Sequence, residues 1–302
     1  MFDQVAANKR RTLLLIFVFV LVVAAAAVGV AALLSLGIVG TIIALLIAVA
    51  VAFGSYWKSD SIALAMSHAT EVSESDSPRL HNVVDGLCIA AGLEKPRIYV
   101  IEDDAPNAFA TGRSPRHSAV AVTTGLLDKM DRIELEAVMA HELSHIRNYD
   151  TLVMTVAVTM VGFVALLSDF SFRFLWWGGP RHRDDQKTHR GVGGVMVLLG
   201  LVMVVFAPIA ARLLQLAISR RREFLADVSG VEMTRYPPGL ISALEKLKND
   251  TTIVHSASKA TAHLWIESPL PTEEGEGKQP KLNRMFNTHP SIDERIDALR
   301  EL

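Results

Sequence analysis

A single cysteine, Cys88, excludes an intrachain disulfide and any thiolate cluster, so a metal bound by this chain must be held by His and carboxylate side chains. A lone thiol does not identify the redox compartment. There is no basic excess either: 30 Lys and Arg stand against 32 Asp and Glu, which offers no footing for nucleic acid. Formal charge is missing altogether from Thr12 to Trp57. As one helix that run would be about 70 Å long, more than twice the roughly 30 Å of hydrocarbon it could cross. It divides in two, with the break at Ser35-Leu36-Gly37 and spans near Thr12–Leu34 and Ile38–Trp57, and Tyr56 and Trp57 suit an interface. The competing reading is a cleaved signal peptide after Lys9-Arg10-Arg11. The apolar stretch greatly exceeds the core of about 7–15 residues that such a peptide uses.

What is present agrees with a bilayer. The 302 residues are 50% hydrophobic, the mean hydropathy is +0.31, and the apolar residues come in blocks. Residues 59–150 are mixed in character and read as a soluble α+β segment. Arg79–Gly92 has helical spacing, Arg97–Ile101 and Ala119–Thr123 look like short strands, and Ile133–Asn148 has a helix pattern with Asp131 available as its cap. A second apolar pair follows, from about Thr151 to Leu167 and from about Val192 to Ile218, around a polar loop at 169–190. The tail from Pro237 carries helical pattern and an acidic, Pro- and Gly-containing loop at Ser268–Pro280.

His141-Glu142-Leu143-Ser144-His145 has the H-E-x-x-H spacing. Residues i and i+4 differ by about 40° around a helix, so both imidazoles point to one side and can share one ion. Glu142, beside them, is placed to take a proton from an activated water instead of ligating. A catalytic site of this kind needs a third protein ligand and an open position. The metzincin extension would require Gly at 148 and His at 151, but the chain has Asn148 and Thr151. Glu223 and Asp227 form another i, i+4 pair, suiting a glutamate ligand and an aspartate that orients a histidine from behind. An apolar hairpin between the two motifs would return Glu223 to the membrane face where His141 and His145 sit. His68, His81, His117, His182, His189, His255 and His263 have no ligand spacing and read as surface or packed residues. His289 has two readings: a hydrogen-bond donor to the oxyanion of a scissile carbonyl, or a residue that merely precedes Pro290 while Thr288 caps the final helix.

His141–His145 continued by Ile146-Arg147-Asn148-Tyr149-Asp150, the Glu223–Asp227 block, Pro106–Gly112 and Thr288-His289-Pro290 together resemble the HtpX-type membrane zinc metallopeptidases, relatives of the CAAX prenyl proteases. The resemblance runs from the first apolar pair to the C-terminus. It implies an α-helical membrane protein with a small α+β, gluzincin-like protease domain. It implies one Zn2+ per chain on His141, His145 and Glu223, catalysis by Glu142, and quality control of membrane proteins under stress. It further implies that Asn107, Ala108 and Phe109 lie along the cleft as a substrate-binding edge. Ser291 stands where many relatives have a second proline. The organisation expected is a tail and two membrane helices in 1–58, the first part of the protease domain in 59–150, a membrane hairpin in 151–218 and the second part of the domain in 219–302, with four transmembrane helices in all. The partners expected are polypeptide substrates, chiefly membrane proteins, and the bilayer, with no nucleic acid and a homo-oligomer left open. Two other functions compete: a prenyl-protein processing endopeptidase, for which four spans are too few to form a chamber around a lipidated C-terminus, and a membrane scaffold with a structural zinc, against which an intact Glu142 argues.

Charges beside the spans orient the chain in the plasma (inner) membrane. Lys9, Arg10, Arg11, Lys58, Arg147 and Arg220–Arg222 flank membrane ends on the side that carries residues 59–150 and the tail, which assigns that side to the cytoplasm. Arg173, Arg181, Arg183, Lys187 and Arg190 of the polar loop oppose this, but the first span usually dominates. Single cysteines at Ser75 and Gly275, in a Cys88→Ser background, should therefore resist an impermeant thiol reagent on intact cells and react after lysis. Ready labelling of both from outside would reverse the orientation.

Overall fold

The structure, a computed structural model, describes residues 2–33, 35–159, 220–256, 261–262, 264–267 and 290–302. Helices α1 (Phe2–Leu33) and α2 (Gly37–Trp57) form an apolar hairpin. Its turn is left-handed at Ser35 (φ 53°) and Gly37 (φ 63°), the place where an uninterrupted apolar helix would have overrun a bilayer. Within them Val5–Gly29 and Gly37–Trp57 are long and apolar enough to cross a membrane. α1 starts ahead of the expected Thr12, since Lys9 and Arg10 end the apolar run without ending the helix. Leu13, Phe17, Leu21, Ile38, Ile42, Leu46 and Phe53 are exposed, an apolar surface of the kind that lipid covers. On the opposite face of α1, Asn8, Thr12, Leu15, Phe19 and Val23 recur at helical spacing and are buried.

After α3 (Ser59–Met66) come β1 (Thr70–Glu71), α4 (Pro78–Ala91), β2 (Arg97–Ile101), β3 (Ala108–Ser114), β4 (His117–Thr123) and α5 (Thr124–Lys129). The sheet order is β1-β2-β4-β3, with β2 and β4 parallel and the other two pairings antiparallel. Both faces are covered, which explains why β4 is buried from Ser118 to Thr123 and carries the apolar run Ala119–Val122 instead of alternating. Ile98, Ala108, Ala110, Val120 and Val122 pack into the core with Leu80 and Val84 of α4, whereas Tyr99, Ile101, Phe109, Ala119 and Ala121 join Leu64 and Trp265 on the other side. β3 was not expected as a strand, because Ala-Phe-Ala-Thr-Gly-Arg-Ser has weak strand propensity. Pairing with β4 decides it, and Gly112, at φ 138°, lies at a register shift where any Cβ would run into the His117 carbonyl.

Helix α6 (Arg132–Arg147) crosses beneath the sheet. Asp131 caps its start, as the sequence pattern indicated, and Glu134 completes a capping box with it. α7 (Asp150–Thr159) is a short apolar helix with two buried faces. Leu152, Val153, Val156 and Ala157 meet Leu15, Phe19 and Val23 of α1, while Met154 and Val158 meet the sheet. It therefore bolts the apolar hairpin to the mixed domain. The rest of the third apolar segment, the polar loop 169–190, the fourth segment 192–218 and the loop 268–280 lie outside the described residues. Helices α8 (Arg220–Thr234), α9 (Pro237–Asn249) and α10 (Ile292–Arg300) complete the fold. α10 is capped by Ser291 with Glu294, not by Thr288; serine in the expected proline's place supplies the hydroxyl acceptor.

Glu134 ties α6 to α9. Its oxygens accept from Ser242 Oγ and Lys246 Nζ, each at 2.6 Å, and from the Asp131 N–H at 2.8 Å. Burial pushes the carboxyl up, but these hydrogen bonds outweigh it and hold Glu134 below its ordinary 4.5. A lowered folded value means stabilisation that is present above the unfolded pKa, about 4.3, and is lost as pH falls through the folded one. Glu134→Gln should cost about 1–3 kcal/mol at pH 7, and the deficit should shrink below about pH 4. Unfolding midpoints of parent and variant across that range provide the check.

Candidate metal centre

α6 carries His141, Glu142 and His145, and α8 lies against it. On α8, Glu223, Ala226, Asp227 and Gly230 share one buried face. A Cβ at Gly230 would stand 3.1 Å from the His141 backbone nitrogen, so glycine is what lets the two helices approach closely enough for Glu223 to reach the imidazoles. His141 Nε2 and His145 Nε2 are 3.2 Å apart, with Glu223 oxygens at 3.7 Å from the first and 3.8 Å from the second. Ligands held at 2.0–2.1 Å around a tetrahedral ion stand about 3.3 Å from one another. The three side chains, all buried, thus have the donor types and spacing to hold a zinc-sized cation.

Both imidazoles are fixed from behind. Asp227 Oδ1 lies 2.9 Å from His141 Nδ1, and Asp150 Oδ2 lies 3.2 Å from His145 Nδ1. A carboxylate at Nδ1 places the ring proton there and turns the Nε2 lone pair toward the centre. Arg295, on α10, donates from Nε and Nη2 to the two Asp227 oxygens at 2.9 and 2.6 Å, and from Nη1 to the Ile266 carbonyl at 3.2 Å. Burial pushes the Asp227 carboxyl up, but Arg295 and His141 hold it below the ordinary carboxylate range. For His141, burial and Arg295 act downward, yet Asp227 and Glu223 prevail and raise it to about 9, the response of a site that favours positive charge.

Glu142 is buried beside the histidines and is not part of the three-residue cluster. Burial raises its pKa, Glu223 adds to the rise, and the two imidazoles and a hydrogen bond from the Ala110 backbone oppose it. Ala110 belongs to β3, the edge strand, so the strand edge passes over Glu142. Asn107, Ala108 and Phe109 lie just upstream. The Asn107 amide donates to the Glu267 carbonyl at 3.0 Å, the Ala108 carbonyl accepts from the Ile266 N–H at 3.0 Å, and the Phe109 ring packs 4.9 Å from Trp265. These three hold residues 264–267 alongside the strand. His289 lies outside the described residues.

Sequence reasoning missed Arg295 and the part played by Asp150. Arg295 stands in register with Ile292, Ile296 and Leu299 on the apolar face of α10, and a charge in that register was the available signal.

Two imidazoles four apart on one helix, a glutamate from a second helix and a further glutamate beside them match the donor pattern of metal-dependent hydrolases. The comparisons with known proteins narrow this class. The model of peptidase family M48 matches residues 74–302. The "Protease HtpX homolog" of Streptococcus gordonii is 44% identical over 303 residues, and that of Limosilactobacillus reuteri is 40% identical over 304, each alignment covering 100% of both chains. The crystal structure of S. mikatae Ste24p aligns over 99% of this chain and 67% of its own, with a TM-score of 0.49 and 16% identity, a likeness too distant to argue from. The chain belongs to peptidase family M48 and is a metalloprotease.

Arg295→Leu should leave the buried Asp227 carboxylate without its partner and cost about 3–5 kcal/mol, seen as a lowered unfolding midpoint. Arg295→Lys should recover only part of this, because an ammonium cannot make the two parallel bonds of the guanidinium. Equal midpoints for parent and Arg295→Leu would show that the pair adds nothing to stability.

Proposed function

We propose that this metalloprotease is a membrane-anchored zinc endopeptidase that cleaves misfolded or damaged membrane proteins at the cytoplasmic face of the inner membrane. The observation that carries the reading is the His141, His145 and Glu223 donor set, with Glu142 buried beside it, in a domain joined through α7 to two helices that can cross a bilayer. On this reading the core is gluzincin-like, one Zn2+ sits on the three ligands, and the segments at 151–167 and 192–218 add a third and fourth span.

Zinc held there would supply Lewis acidity, polarising the scissile carbonyl and acidifying a water molecule. Glu142 accepts the proton of that water as its oxygen adds to the carbonyl carbon. It then delivers the proton to the departing nitrogen, so the C–N bond breaks to leave a carboxylate and an amine. A carboxylate whose pKa is raised by burial suits both halves of this transfer. Asp227 and Asp150 keep the two imidazoles in the tautomer that faces the ion. The edge of β3 at Ala110 is offered as the rail along which substrate backbone pairs. Asn107, Ala108 and Phe109 shape its upstream end by holding residues 264–267. His289 is proposed as a donor to the oxyanion.

Cleavage of an unfolded membrane-protein substrate by purified protein, with and without chelator, tests the reading. Glu142→Gln should retain zinc and lose at least about a hundredfold in rate, while Glu223→Ala should lose zinc. Near-normal turnover by Glu142→Gln in a protease-free preparation would sink the mechanism, and full zinc content in Glu223→Ala would require another ligand.

A further inference from the structure

The first apolar helix does more than lie against the domain. Asn8, near its N-terminal end and buried to 3% exposure, spends both N–H groups of its amide on the turn between α6 and α7. One goes to Asp150 Oδ1 at 2.7 Å and the other to the Asn148 carbonyl at 3.0 Å, at the end of the helix that bears His145. Asp150, 2% exposed, has its other oxygen on His145 Nδ1. Arg222 Nη1 stands 3.9 Å from Asp150 Oδ1, adding a positive charge beside the buried carboxylate. The turn between Asn148 and Asp150 needs holding: Tyr149 has φ 59°, a left-handed conformation that a Cβ disfavours by crowding the backbone carbonyl. Lys9, the next residue on α1, lies 4.5 Å over the Tyr149 ring.

These contacts form one line from membrane helix to imidazole. An apolar residue at position 8 would suit a helix whose face continues through Leu15, Phe19 and Val23. Among the described residues, the Asn148–Asp150 turn is what satisfies the buried N–H groups of that amide. With Oδ1 engaged by Asn8, the carboxylate cannot rotate without breaking a hydrogen bond, and Oδ2 stays on His145. We propose that Asn8 is a positioning residue for the metal ligand His145, acting through Asp150, so that α1 is part of the metal centre and its seating against α7 sets the affinity for zinc. A chain whose α1 was removed as a leader peptide would lose this support and bind metal weakly.

The inference rests on the zinc reading above, and the test separates the two. Full-length protein in detergent is titrated with zinc against a chromophoric chelator, and the visible spectrum of the cobalt-substituted protein is recorded. Groups behind a ligand typically contribute about 10–100-fold in metal affinity. Asp150→Asn should fall in that range, and Asn8→Leu and Asn8→Ala, one step further out, should weaken zinc binding by about five- to tenfold. The cobalt spectrum should shift in both Asn8 variants but not in Leu13→Ala, a change at an exposed position on the same helix. Adding Asn8→Leu to Asp150→Asn should cause no further loss, since the two residues act in series. Parental affinity and spectrum in both Asn8 variants, or losses that multiply in the double variant, would overturn the role of Asn8. Failure of the unaltered protein to bind zinc stoichiometrically would overturn the metal reading itself.

Discussion

Arg295, Asp227 and His141 form a buried line of hydrogen bonds that joins the last helix of the chain to α8 and α6. Each member solves a problem posed by another. The guanidinium, 1% exposed, could not be buried without a carboxylate, and Asp227, 2% exposed, could not remain ionised without the guanidinium. The imidazole needs an acceptor at Nδ1 to turn its other nitrogen toward the centre. Because the three residues come from separate segments, ordering the site and packing α10 against α8 are one event. The Arg295 contact with the Ile266 carbonyl extends that event to the segment beside β3.

A second constraint is the burial of α6 around its site residues. The sheet covers one face, α8 and α9 cover others, and every residue from Ala137 to Ile146, the stretch that presents His141, Glu142 and His145, is buried. Inside such surroundings an unpartnered polar group is costly, so each titratable group is answered: Glu134 by Ser242 and Lys246, His141 by Asp227, His145 by Asp150, and Glu142 by the Ala110 backbone. The exclusion of water that demands these partners also strengthens every charge interaction at the centre.

The apolar hairpin enters the same logic through α7. One face of this short helix packs on α1 and the other on the sheet, which makes the junction rigid where two domains would otherwise be joined by a linker. At that junction lies the turn that carries Asp150. The apolar hairpin and the candidate metal centre thus share one packed interface, and Asn8 is the polar group set into it.

Much of this was legible in the sequence wherever the cause is local. Asp131 marks the start of α6 as its cap, and the spacing of His141 and His145 puts both on one side of it, because a helix dictates the relation of residues four apart. The uncharged run from Thr12 to Trp57 had to break, since helical rise and bilayer thickness forbid a single span, and Ser35 and Gly37 are where it turns. Tertiary structure decided whatever depends on a partner distant in the chain. Ala108–Ser114 is a strand only because β4 pairs with it, against its own propensity. Glu223 meets the imidazoles because glycine at 230 admits α8 to the backbone of α6. The carboxylates behind the histidines meet their donors across 68 residues for Arg295 and Asp227 and 142 for Asn8 and Asp150, separations over which no periodicity carries information. A local pattern can place a side chain on a face of its own helix, but only the packed fold chooses what that face meets.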